Sequence, residues 1–274
     1  MRKVAILPTL CTLGNAICGM SALIFATHIS VAAAYFEAKQ ASFLAGSLVF
    51  LAMIFDVLDG YLARRTKAAS QFGAELDSLC DAISFGLVPG FLLIKLGGHI
   101  EHRLMRDLYL VVAMLYMCCA VLRLARFNIQ TNLDDKSHRV FNGLPSPAAA
   151  GCIAAMVMLY YNYTDIRWVP DTMIEVVIPT IAPLAGMVVA LLMVSRVPYP
   201  HLANRVLRRR QHFNRVIQVV LFLFGIYLFH VLVLVLVFWG YALAGPVRLA
   251  YRRLTRGIWT APPEPIENPT TPVK

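Results

Sequence analysis

Apolar and polar positions divide this chain into long apolar runs separated by short basic segments. A helix that crosses a bilayer needs about 20 mostly apolar residues, and several runs meet that length. The first follows Arg2 and Lys3, with Pro8 suited to its start. In outline it could pass for a secretory signal peptide. Thr9, Thr12 and Asn15 inside it, and the many spans that follow, predict a retained first helix instead. Further helices are predicted at about 41–62, 77–96, 108–127, 145–161 and 173–193. The stretch 217–247 is long for one span and tight for two. The last residues, 257–274, are Pro-rich and polar and are expected to be disordered.

The pattern predicts an all-α integral membrane protein, a polytopic bundle of six core transmembrane helices plus one or two C-terminal spans. Residues 1–200 form the core and 201–256 a basic cytoplasmic segment with the C-terminal span or spans. Composition agrees: 59% of residues are hydrophobic and 15% charged, against about a quarter charged in soluble chains. The formal net charge of +10 does not indicate nucleic acid, because the bases sit between apolar runs, where headgroups and the positive-inside rule explain them.

Those bases set an orientation. Arg2 and Lys3, the Arg64-Arg65-Lys67 loop, the 134–139 loop and the segment 196–215 fall on one side, assigned to the cytoplasm. The loops near Lys39 and at 161–171 fit the other side, while 95–106 is mixed. The group Arg248 to Arg256 joins the cytoplasmic set if 217–247 crosses twice, which favours eight spans over seven. Arg205 to Arg215 is expected along the anionic inner surface. The six cysteines form no CxxC or zinc spacing and read as packing residues. The seven histidines have no motif partner.

The chemistry concentrates between Phe55 and Gly86. Asp56 and Asp59 are three apart, Asp77 and Asp81 four apart, so each pair shares a helix face. Two such helices side by side would gather four carboxylates around one or two hard cations. Between the pairs lie Gly60, Ala63, Arg64 and Gly73, small residues and a guanidinium that suit a pyrophosphate. The orientation puts both halves of this motif at the cytoplasmic membrane face. Intramembrane acids are costly and functional by default. An ion or proton pathway would use the acids but leave the glycines, Ala63 and Arg64 without a task.

The pattern Asp56-x-x-Asp59-Gly60-x-x-Ala63-Arg64, then Gly73, Asp77 and Asp81 at fixed intervals, resembles the full signature of the integral-membrane CDP-alcohol phosphotransferases. That resemblance implies transfer of a substituted phosphate from a CDP-linked donor to an alcohol, with release of CMP. It implies Asp56, Asp59, Asp77 and Asp81 as ligands of Mg2+ or Mn2+, with Asp81 the best candidate for general base. Gly60, Ala63, Arg64 and Gly73 would meet the CDP-lipid. Asn15 has two readings, a bond between helices or contact with the substrate phosphates.

The stretches LDSLCDAISFGLVPG, LRLARFN and FNGLPSPAAAG look like the phosphatidylserine synthase branch. The implied substrates are CDP-diacylglycerol and L-serine, in a bacterial-type inner membrane, with a homodimer as the default assembly. Arg123 and Arg126, three apart beside Asn128, are candidates to grip the serine carboxylate; as anchors they would merely snorkel to headgroups. The Gly143–Pro147 run reads as a rigid turn rather than a direct substrate role for Ser146 or Asn142. Other acceptors (glycerol 3-phosphate, inositol phosphate, choline) and a small ion-coupled transporter are the alternatives.

Overall fold

The computed structural model describes residues 6–29, 35–65, 70–98, 100, 102–133, 143–162, 171–197, 199 and 231–251. The loops near Lys67, at 134–142 and at 163–170, the segment 201–230 and the tail from residue 252 lie outside the described residues.

Among the described residues the chain is helical. Helix α1 is Ile6–Thr27 and α2 is Tyr35–Arg65. Helix α3 runs through Gln71–Gly97, its middle, Ala82–Leu87, wound as π-helix. Helix α4 is Arg103–Leu133, α5 Ser146–Asn162, α6 Asp171–Val194, and α7 Val231–Tyr251. Six are long and apolar enough to cross a membrane. The exception is α5, whose 17 residues sit at the lower limit of about 17 for a span.

The helices are built inside out relative to those of a water-soluble bundle. On α1 the buried positions are Thr12, Asn15, Cys18, Gly19, Ala22 and Ala26, while Ile6, Leu10, Leu13, Ile17, Met20 and Ile24 face outward. On α2 the buried stripe is Ala38, Ser42, Ala45, Val49 and Ala52, continuing to Asp59. Small residues turn inward because dispersion contact between close backbones drives association in lipid, where large apolar side chains gain nothing by leaving the tails. Helix α1 packs most extensively along α2, α2 also packs on α5, and α4 packs on α3 and α6. Helix α5, rich in Ala and Gly, is buried along nearly its whole length.

Three helices differ from the hydropathy pattern in where they begin or end. Helices α2 and α4 have 31 residues each, about 45 Å at ~1.5 Å per residue, beyond a hydrocarbon layer of about 30 Å. Hydropathy marks only the lipid-facing part; polar turns such as Arg103 to Asp107, an i,i+4 ion pair at 3.9 Å, extend the helix past it. Helix α3 begins at Gln71 rather than near Asp77, because Ser70 caps it, accepting the Gly73 N–H at 3.0 Å. This brings Asp77 and Asp81 into the second and third turns.

Three of the prolines inside helices, Pro89, Pro183 and Pro246, each leave a carbonyl four residues earlier without its helical N–H partner. In each case a tyrosine hydroxyl supplies the missing donor. Tyr116 donates to Phe85 O at 3.1 Å opposite Pro89. Tyr109 donates to Pro179 O at 2.8 Å opposite Pro183. Tyr199 donates to Ala242 O at 2.8 Å opposite Pro246. A polar group with no partner in hydrocarbon costs several kcal/mol on the order of 2–7, so these bonds hold the kinked helices in place. The π-helical turns lie just ahead of Pro89, where the α-helical ladder is interrupted.

Candidate active site

The site forms where the C-terminal part of α2 meets the N-terminal part of α3. Asp56 and Asp59 extend the buried stripe of α2, and Asp77 comes from α3. One carboxylate oxygen from each lies within 4.8 Å of the others. Asp59 is 5% exposed and Asp56 and Asp77 are half-buried. Three converging anions are unfavourable unless something positive joins them. Asp77 Oδ1 is buried and has no hydrogen-bond partner among the described residues. A set of hard carboxylate oxygens with a free buried acceptor fits a divalent cation such as Mg2+ or Mn2+.

Asp81, one turn further along α3, is 8% exposed and lies outside that trio. Asn15 of α1 donates to it, Nδ2 to Oδ1, at 2.9 Å. Asn15 is itself fully buried, and its Oδ1 has no partner among the described residues. The two helices are clamped here, since Ser84 Oγ donates to the Asn15 carbonyl at 3.0 Å. Gly19, one turn on, permits this approach; a Cβ there would run into Ser84. Of the two readings of Asn15, the bond between helices is thus present, and its partner is an acid of the motif.

The rest of the motif is unevenly placed. Gly60 and Ala63 lie on α2 beyond the acids, half-buried. Among the described residues a Cβ on Gly73 would meet only Ser70 Oγ, at 3.2 Å. Arg64 belongs to the last turn of α2, and its side chain lies outside the described residues. Cys80 is buried among these acids and forms no disulfide.

Helix α4 closes one side. Arg123 interacts electrostatically with Asp81 and Asp56, and its Nη1 donates to Ser146 Oγ at 2.5 Å. Arg126 is half-buried and makes no hydrogen bond or ion pair among the described residues. Asn128 is joined to Ser78, the neighbour of Asp77, with Nδ2 donating to Ser78 Oγ at 2.9 Å. Ser78 was not singled out by the sequence pattern and Ser146 was read only as part of a turn, because no spacing ties a serine to a helix distant in the chain. Ser146 follows the expected turn: Gly143 has φ +98°, where glycine is favoured. Its N–H reaches Val197 O at 2.9 Å, and Leu144 N–H reaches Leu192 O at 2.9 Å. The start of α5 is thereby tied to the end of α6.

Clustered carboxylates from α2 and α3 and a guanidinium near them, inside a bundle of helices of membrane-spanning length, have the chemistry to suit a divalent cation and a phosphate. Residues 5–188 match the family model for CDP-alcohol phosphatidyltransferase, and the chain belongs to that family. Among its curated relatives is a CDP-diacylglycerol--serine O-phosphatidyltransferase of Methanocaldococcus jannaschii, 36% identical over 160 residues, 58% of this chain and 65% of the relative. The protein of the same name from Bacillus subtilis is 27% identical over 195 residues, 71% of this chain and 90% of the relative. An archaetidylserine synthase of Methanothermobacter thermautotrophicus is 32% identical over 155 residues, 56% of each chain. The chain thus spans less than two thirds of the first of these relatives.

Proposed function

We propose that this protein transfers the phosphatidyl group of CDP-diacylglycerol to the hydroxyl of L-serine, giving phosphatidylserine and CMP. The observation that carries the reading is the convergence of Asp56, Asp59 and Asp77 beside Asp81 and Arg123. The names of the relatives support serine as the acceptor.

In this reading the serine hydroxyl oxygen bonds to the lipid-side phosphorus. The bond from that phosphorus to the bridging pyrophosphate oxygen breaks, and CMP departs with the electron pair. Asp81 takes the hydroxyl proton. Its fixed position supports that role, since Asn15 occupies one carboxylate oxygen and leaves the other for the acceptor. Asp56, Asp59 and Asp77, with Asp81 as a further ligand, would hold Mg2+ or Mn2+. When bound, the cation offsets phosphate charge and stabilises the leaving nucleotide.

Gly60, Ala63, Arg64 and Gly73 would border the CDP-lipid, and Gly73, with no side chain, suits close approach by a nucleotide diphosphate. In this reading Asn15 acts through Asp81 rather than by direct contact with the CDP-lipid. Arg123 would pair with the serine carboxylate. Arg126 and Asn128 complete the serine-facing group, Asn128 through Ser78. Alternating bases support a bacterial-type inner membrane with the site facing the cytoplasm. A homodimer belongs to the same proposal, and light scattering of the purified protein tests it.

The test of function is CMP release by purified protein with CDP-diacylglycerol and Mg2+ or Mn2+, comparing L-serine with glycerol 3-phosphate, inositol phosphate and choline. Release with serine alone is expected. Release with another alcohol replaces the acceptor, and no release from well-folded protein removes the reaction.

A further inference from the structure

Arg123 brings a charged group with five N–H donors into the bundle, and among the described residues one hydrogen bond holds it, Nη1 to Ser146 Oγ. Ser146 is fully buried at the start of α5, so water does not compete for its hydroxyl. Its position is set from outside α5, through the Gly143 and Leu144 bonds to Val197 and Leu192. The bond to Arg123 uses the Ser146 oxygen as an acceptor. Arg123 also feels the charges of Asp81 and Asp56.

From this arrangement we infer that Ser146 is a specificity-determining positioning residue: it holds the Arg123 guanidinium so that its remaining N–H donors clamp the α-carboxylate of the acceptor. The inference rests on the serine-transfer reading above and extends it. A planar carboxylate accepts two donors side by side, which a neutral acceptor at the same place does not reward. The clamp therefore distinguishes an amino acid from an amino alcohol or amide of the same size, and Ser146 matters in proportion to the acceptor's negative charge.

The experiment uses the full chain in lipid nanodiscs and measures CMP release with L-serine and with L-serinamide, which keeps the hydroxyl and amine but loses the charge. For Ser146→Ala, kcat/KM for L-serine is expected to fall about tenfold, the effect of losing one hydrogen bond to a charged group. Turnover of L-serinamide and the KM for CDP-diacylglycerol should hold, and Ser146→Thr should restore the preference for serine. Serinamide turnover in the same preparation also reports that the variant is folded. An equal fall for both acceptors, or no change for either, overturns the inference. If Arg123→Ala loses the serine preference and Ser146→Ala keeps it, the clamp does not depend on Ser146 while serine transfer stands. If the unmodified protein releases no CMP with serine, the serine-transfer reading fails and the clamp with it.

Discussion

Asn15 and Asp81, 66 residues apart, are joined by a 2.9 Å hydrogen bond between the first and third helices. The amide donates to one carboxylate oxygen, so the acid enters the site with a fixed orientation instead of a free rotor. Both side chains are buried, and a bond of this kind to a charged group contributes about 1.5–3 kcal/mol.

Replacing Asn15 with Ala should therefore lower kcat by about 10- to 100-fold, the rate equivalent of that energy. The KM for CDP-diacylglycerol should change little. Steady-state CMP release with each substrate varied in turn checks this; a large rise in the CDP-lipid KM would assign Asn15 to donor binding instead.

The three clustered acids and Asp81 should separate by experiment. Asp59→Asn should weaken divalent-cation binding by calorimetry and abolish turnover, because it removes one of three converging ligands. Asp81→Asn should abolish turnover yet leave substantial CDP-lipid binding. A chelator should stop the unmodified protein, and added Mg2+ or Mn2+ should restore it. Normal turnover by Asp81→Asn would end its assignment as base.

Arg123 and Arg126 look equivalent in sequence and differ in place. Arg123→Ala should raise the serine KM by about 10- to 100-fold, since an ion-paired hydrogen bond is lost. Arg126→Ala, with no hydrogen bond or ion pair to lose among the described residues, should raise it by a smaller factor. Equal effects from the two substitutions would undo the distinction.

Tyr116→Phe removes the donor to the Phe85 carbonyl while keeping the ring. A buried acceptor left alone costs about 1–3 kcal/mol, so thermal unfolding in detergent should begin several degrees lower. Turnover should drop as well, because Phe85 lies in the π-helical segment that follows Asp81. An unchanged unfolding curve would mean that another group serves that carbonyl.

Much of this was legible in the chain. Long apolar runs predict the helices, and the spacing puts Asp56 with Asp59 and Asp77 with Asp81 on one helix face each; of the four acids expected together, Asp56, Asp59 and Asp77 converge and Asp81 stands apart. Start positions were less legible: Ser70 caps α3 through a hydroxyl that hydropathy does not weigh. The partners of Asn15 and Arg123 were not legible either. Each bond joins helices distant in sequence, and nothing in a local pattern says which neighbour a buried amide or guanidinium will find. Ser146 was read as part of a turn, whereas it opens α5 just after that turn and its hydroxyl serves Arg123. The π-helical turns had a signal in Pro89, whose effect depends on Tyr116 from another helix.

The proline carbonyls have a consequence for how the chain is assembled. When α3 enters the bilayer, Tyr116 has not yet followed, and the Phe85 carbonyl faces lipid without its donor. The same holds in reverse for α6: its carbonyl at Pro179 finds Tyr109 already waiting on α4. Helix α4 is thus a two-sided dock, with one hydroxyl owed to the helix before it and one to a helix after it. A chain interrupted before α4 should hold α3 loosely at the translocation machinery, and membrane release of the first three helices should coincide with the arrival of Tyr116.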